Sequence, residues 1–117
     1  MRRDIILKAI FALGVFGVGW LSLIPQAALP ETGLSDKLEH LLAYGVLGLA
    51  GCMAFPDHRK HVLVGLIFYG AALEGLQALV PGRTPSLLDG VANTLGVGFG
   101  YLILRLSRQI MPRTNTL

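Results

Sequence analysis

Polar residues recur at helical spacing inside stretches that are otherwise apolar. Three pairs stand three or four positions apart: His40 with Tyr44, Glu74 with Gln77, and Asp89 with Asn93. Each spacing puts both members on one face of an α-helix. Carboxyl, imidazole and carboxamide groups on facing helices can hydrogen-bond a polar ligand or exchange protons as acid and base. The pairs therefore indicate a candidate site between helices.

Most of these residues also have a structural explanation. Asp89 can cap a helix, His40 can donate to a backbone carbonyl, and Tyr44 suits an interfacial aromatic. Carboxamides such as those of Gln77 and Asn93 tie helices together in lipid. Glu74 is the hardest to explain by packing, because a charge in mid-membrane costs about 2.5 to 3.5 kcal/mol on insertion scales.

The composition is typical of an integral membrane protein. The 117 residues are 53% hydrophobic and 15% charged. Apolar stretches, each close to the roughly 20 residues that a membrane-spanning helix needs, lie at about 5–24, 38–55, 62–80 and 87–106. We predict an all-α, integral membrane four-helix bundle that forms a single domain over residues 1–117. The first stretch follows basic residues as in a signal peptide, but it is long and no Ala-x-Ala site follows it.

Basic residues predict the orientation of the bundle. With both termini in the cytoplasm, only Lys37 and Arg83 face outward. The cytoplasm then receives eight basic residues: Arg2, Arg3, Lys8, Arg59, Lys60, Arg105, Arg108 and Arg113. This bias favours cytoplasmic N and C termini in a bacterial inner membrane. The basic residues form no patch with interleaved aromatics, which argues against nucleic-acid binding.

In this orientation the polar pairs share the outer end of the bundle. The second and fourth helices begin there, with a capping box expected at Asp36 and Glu39, and a cap at Thr84 or Ser86. Helix N-termini and basic side chains attract anions. We expect an anionic ligand, and a lipid phosphate suits the depth and the charge. The single cysteine, Cys52, offers neither a disulfide nor a metal motif.

The segments "SDKLEHLLAYGVLG", "EGLQ" and "PGRTPSLLDGVANTLG" resemble the VanZ-like family, named for an accessory protein of teicoplanin resistance. The resemblance covers roughly residues 35–100. The family pattern matches nine positions, which become the predicted ligand-binding residues: Asp36, Lys37, His40, Tyr44, Glu74, Gln77, Arg83, Asp89 and Asn93. Leu41 departs from the pattern, since an aromatic often follows the histidine. The resemblance implies a four-helix envelope membrane protein connected with glycopeptide antibiotics and cell-wall precursors, without a defined activity.

The leading hypothesis is a non-enzymatic membrane protein whose outward-facing polar site binds an anionic, polyprenyl-phosphate-linked cell-wall intermediate or a glycopeptide-related ligand. One alternative is an intramembrane enzyme acting on lipid phosphates, in which His40 shares acid and base roles with Glu74 or Asp89. A transporter of lipids or small molecules is the other. No cofactor and no metal are expected; membrane lipids are the expected partners. Glycine-containing helix faces leave homo-oligomerisation open.

Overall fold

The computed structural model describes residues 2–110, which form four α-helices and one short 3₁₀ turn. In chain order the helices are α1 (Arg2–Leu23), α2 (Asp36–Ala54), α3 (Arg59–Gln77) and α4 (Leu87–Ile110), and the 3₁₀ turn is Gln26–Ala28. Residues 2–110 contain no strand. The predicted all-α, four-helix fold is confirmed. The single-domain assignment of residues 1–117 stays a prediction, and Arg113 lies outside the described residues.

The third helix begins and ends three residues earlier than the predicted range 62–80. After Gln77 the chain tightens, and the N–H of Leu79 donates to the carbonyl of Leu76, 3.0 Å away. Pro81 follows, and Gly82 has a φ of 76°, a left-handed conformation that glycine adopts without a Cβ penalty. This turn ends α3 and leads directly to Arg83. The fourth helix continues past the predicted residue 106 to Ile110.

Serine side chains cap the two helices that begin at the predicted outer end. Ser35 Oγ accepts from the N–H of Leu38 at 3.2 Å, and Ser86 Oγ accepts from the N–H of Asp89 at 3.2 Å. The expected cap at Ser86 is therefore confirmed. The expected capping box at Asp36 and Glu39 is wrong, because Ser35 is the cap residue and Glu39 instead accepts from the hydroxyl of Thr32 at 2.5 Å.

The most extensive pairing in the bundle joins α2 and α4. Glycines hold the two backbones together: Gly48 lies against the backbone of Val97, Gly96 against Leu41 and Gly100 against Gly45. A Cβ placed on Gly48 would lie 2.7 Å from the Val97 carbonyl oxygen, so these positions have no room for a side chain. Small residues at this spacing let helices approach closely.

The α1 helix packs on the surface of the bundle. None of its residues is buried, and it contacts α3 where the Tyr69 hydroxyl donates to the carbonyl of Val15 at 2.5 Å. Among the described helices, α1 and α4 are long and apolar enough to cross a membrane. Large apolar side chains are exposed on each of the four helices. Phe16 on α1 and Phe68 on α3 have exposed fractions of 72% and 70%.

We predict opposite effects for two alanine substitutions two residues apart on α4. Gly100→Ala forces a methyl group against the backbone of Gly45 and should lower the free energy of unfolding by about 1–3 kcal/mol. Gly98→Ala meets open space and should be neutral or stabilising, because alanine has the better helix propensity. Thermal unfolding of both variants in detergent measures the difference. Equal stabilities would contradict the tight α2–α4 contact.

Candidate functional site

The nine predicted residues lie toward one end of the bundle, where α1 and α3 end and α2 and α4 begin. We call it the polar end. Four side-chain hydrogen bonds at this end join residues that are at least twelve positions apart in the chain, and together they connect all four helices or their first residues.

An ion pair joins α2 to α4 at the polar end. Lys37 Nζ donates to Asp89 Oδ1 and lies 3.3 Å from Ser86 Oγ. Asp89 is only 3% exposed, so its carboxylate depends on this partner for compensation. The hydrogen bond to Asp89 raises the pKa of the Lys37 ammonium above its usual value. The ammonium is therefore charged at neutral pH.

Glu74 forms part of the cap of α4. Its Oε1 accepts the backbone N–H of Ser86 at 3.0 Å. In a capping box this N–H is satisfied by an acidic residue three positions after the cap, which here is Asp89. Asp89 instead pairs with Lys37, and the Ser86 N–H is satisfied by Glu74 of the preceding helix. Glu74, which packing did not explain from the sequence, thus has a defined hydrogen-bond partner.

His40 links α2 to α4 through a carboxamide. Its Nδ1 lies 2.7 Å from Asn93 Oδ1, and an amide oxygen can only accept, so Nδ1 is the donor. The other ring nitrogen, Nε2, faces Asp36 Oδ1 at 3.6 Å. Asn93 is 3% exposed, so the bond to His40 satisfies a buried polar group. The imidazole is held between an amide and a carboxylate.

Gln77 and Arg83 both donate to the end of α1. Gln77 Nε2 donates to the Ser22 carbonyl at 3.1 Å. Arg83 Nε donates to the carbonyl of Ile24 at 3.1 Å, and its Nη2 donates to the carbonyl of Leu21. The last carbonyls of a helix have no partner within the helix, and these side chains supply one. The sequence analysis did not predict this role, because the acceptors are backbone carbonyls and not side chains.

Tyr44 belongs to the buried core and is 2% exposed. Its ring packs where Gly70 leaves space: a Cβ on Gly70 would lie 3.1 Å from both the Tyr44 ring and Asn93 Nδ2. The glycine on α3 thus allows the aromatic ring of α2 to lie beside the amide of α4. Tyr44 consequently forms the boundary between the apolar core and the polar end.

A cavity of about 170 Å³ opens between α1, α2 and the loop that connects them. Five of the nine predicted residues line it: Asp36, His40, Tyr44, Gln77 and Arg83. The other four, Lys37, Glu74, Asp89 and Asn93, lie outside its wall and hold the surrounding helices together. The prediction did not include Thr32, Glu39 and Ser22, which also line the cavity. Of these, Glu39 could have been found from the sequence, because it is a carboxylate directly before His40 on the same helix.

Three residues offer ligand atoms to a metal ion. Oxygens of Asp36 and Asp89 and a ring nitrogen of His40 lie within 4.8 Å of one another. The Lys37 ammonium, however, already occupies the Asp89 oxygen. A divalent cation would have to displace this ammonium, so the arrangement is better suited to an internal ion pair than to a metal.

A family model described as VanZ/LLP1 matches residues 6–108. The chain belongs to the VanZ/LLP1 family. The matched range includes the polar end and most of all four helices, and it confirms the resemblance recognised from the sequence. No curated protein and no solved structure matches the chain. For this VanZ/LLP1 member, the ligand therefore has to be inferred from the geometry of the polar end.

We predict that Glu74 stabilises the fold through its oxygen atom, and that its charge is not needed for this. Glu74→Gln keeps an acceptor for the Ser86 N–H, so its stability should be close to wild type. Glu74→Ala removes the acceptor and should lower the free energy of unfolding by about 1 kcal/mol. Thermal unfolding in detergent distinguishes the two. A glutamine variant as unstable as the alanine variant would show that the carboxylate charge is required.

Proposed function

We propose that this VanZ/LLP1 protein spans the bacterial cytoplasmic membrane and binds the phosphate group of an anionic, lipid-linked cell-wall intermediate or a related glycopeptide ligand at its outward-facing polar end. Family membership is the established part of this statement. Membrane insertion, orientation and ligand are the proposal.

Membrane insertion is supported by the exterior of the bundle. Its surface carries large exposed apolar side chains on every helix, among them Leu13, Val46, Phe68 and Leu95. Contiguous apolar surface of this kind marks a lipid or protein contact. The longest dimension of the described chain is 52 Å, which is enough to cross a bilayer of about 40–45 Å including the head groups.

Orientation is supported by the contrast between the two ends. The polar end has two basic residues, Lys37 and Arg83, and both are paired with other groups of the protein. The opposite end, which we call the basic end, carries Arg2, Arg3, Lys8, Arg59, Lys60, Arg105 and Arg108. Basic residues are retained in the cytoplasm, so the polar end should face outward.

Thiol labelling in intact cells tests the orientation. In a Cys52→Ala background, Thr84→Cys at the polar end should react with a membrane-impermeant maleimide. Asp57→Cys, in the turn before α3, should react only after the membrane is permeabilised. Both native residues are exposed, so accessibility to the reagent decides the result. The reverse pattern would place the polar end in the cytoplasm.

The observation that carries the ligand proposal is the position of Arg83 on the wall of the cavity. A guanidinium has five N–H donors, and two of them bind the carbonyls at the end of α1. These bonds fix the planar group, and the other donors remain for a phosphate, which guanidinium binds in a bidentate way. His40 lies on the same wall, with its Nε2 3.6 Å from Asp36 Oδ1.

The acidic residues of the polar end favour a ligand that carries donors beside its phosphate. Two carboxylates are compensated within the protein, Asp89 by Lys37 and Glu74 by the Ser86 N–H. Asp36 and Glu39 line the cavity wall. Asp36 lies 3.6 Å from His40 Nε2 and Glu39 accepts from the Thr32 hydroxyl, but a carboxylate has further lone pairs that can accept from ligand hydroxyl or amide groups. Cell-wall intermediates combine phosphate with sugar hydroxyls and peptide amides, which matches this mixture.

The volume of the cavity limits which part of the ligand it can hold. About 170 Å³ is smaller than the roughly 300–1,000 Å³ of pockets that enclose a drug-sized molecule. The cavity accommodates a phosphate and its immediate neighbours. The lipid tail would then lie along the apolar exterior of α1 and α2.

Binding of undecaprenyl phosphate to the purified protein tests this site. Arg83→Gln should weaken binding about ten-fold or more, because a hydrogen bond to a charged group contributes about 1.5–3 kcal/mol. Arg108→Gln removes the same charge from the basic end and should bind as wild type does. Thermal unfolding of both variants separates loss of the ligand contact from loss of the α1 contact. Equal binding by Arg83→Gln and wild type would refute the site.

An intramembrane enzyme remains the second candidate, and one observation favours it. His40 lies on the cavity wall with its Nδ1 bound to Asn93 and its Nε2 near Asp36, an arrangement that orients an imidazole for proton transfer. The acid–base partner would then be Asp36 in place of the predicted Glu74 or Asp89. Release of inorganic phosphate from undecaprenyl phosphate by pure protein, abolished in His40→Gln, would establish catalysis.

A further inference from the structure

A second cleft lies between α1 and α3, on the far side of Tyr69 from the cavity at the polar end. Its volume is about 500 Å³, within the range of about 300–1,000 Å³ that ligand pockets have. Its walls are almost wholly apolar and include Phe11, Val15 and Leu66. Gly65 also lines it, and a Cβ at that position would meet nothing within 4 Å. No residue pattern in the sequence indicates this cleft.

Tyr69 closes one end of the cleft. Its hydroxyl donates to the Val15 carbonyl at 2.5 Å and lies against Gly19, where a Cβ would collide with it. The tyrosine thus bridges α3 and α1 and separates the cleft from the polar end. A ligand in the cleft can therefore extend only toward the basic end or outward from the bundle.

The other end of the cleft has a rim of basic groups. His58 and His61 line it, with ring centroids 5.8 Å apart. Lys8 Nζ lies 5.3 Å from the centroid of the Phe55 ring, which is also part of the wall. An apolar cleft that ends in basic groups is complementary to an amphipathic molecule with an acidic head.

We propose that this cleft binds one acyl chain of an anionic phospholipid, with the lipid phosphate beside Lys8, His58 and His61. The binding site is separate from the polar end and requires only that the bundle lies in a membrane. Basic side chains near an anionic lipid surface attract its head groups. The same charges disfavour a second copy of this chain packed side by side, since it would bring another Lys8 and histidine pair to the rim.

Native mass spectrometry of the detergent-purified protein tests the proposal, with dioleoyl phosphatidylglycerol and dioleoyl phosphatidylcholine as probes. The two lipids have the same acyl chains and differ in net charge. Wild type should retain one phosphatidylglycerol at a lower lipid concentration than phosphatidylcholine. Gly65→Phe fills the cleft and should raise the half-saturating concentration of phosphatidylglycerol about ten-fold or more. The matched control, Gly98→Phe, places the same ring on the open face of α4 and should bind as wild type does.

A second variant tests the role of the rim. Lys8→Gln should reduce the preference for phosphatidylglycerol about five-fold, which corresponds to about 1 kcal/mol, and should leave phosphatidylcholine binding unchanged. Unchanged lipid binding by Gly65→Phe would overturn the proposal, as would equal affinity of wild type for the two lipids. A dimer that Gly65→Phe dissociates without loss of bound lipid would show that a second copy occupies the cleft, and would also overturn it.

Discussion

The backbones of α2 and α4 touch, and the geometry of the polar end depends on that contact. Gly48, Gly96 and Gly100 leave no side chain between the helices. This approach brings Lys37 within reach of Asp89 and His40 within reach of Asn93. Larger residues at the glycine positions would separate the helices and leave Asp89 as an uncompensated buried charge, which is strongly destabilising.

The polar residues divide into those that build the site and those that line it. Lys37, Asp89, Glu74 and Asn93 bind partners within the protein and fix the first turns of α2 and α4. Arg83 and Gln77 do both, because they bind the carbonyls of α1 while lining the cavity. The helix N-termini, which we expected to attract an anion, are already capped by Ser35, Ser86 and Glu74. The proposed phosphate contact therefore relies on the Arg83 guanidinium.

Helical spacing was sufficient to predict four helices and to group the three polar pairs, because side chains three or four residues apart must share a face. The hydrogen-bond partners of these polar side chains were not predictable from the sequence. The three acceptors for Gln77 and Arg83 are backbone carbonyls in the last turn of α1 and directly after it, and no residue type identifies a carbonyl. Glu74 was predicted to bind a ligand because it matches the family pattern and because packing did not explain a charge in mid-membrane; its carboxylate accepts from an N–H twelve residues later. The α1–α3 cleft depends on how two apolar faces meet, which periodicity does not determine.

We propose that the cavity beside Arg83 holds a lipid phosphate at the outer surface of the membrane. A cryo-electron microscopy structure of the protein extracted with its native lipids tests it most directly, with a bound fiducial antibody to compensate for the small size of the chain. We expect a phosphate within hydrogen-bond distance of the Arg83 guanidinium and close to His40, with its lipid tail against α1 or α2. A cavity that contains only water, while ordered lipids occupy other surfaces of the bundle, would contradict the claim.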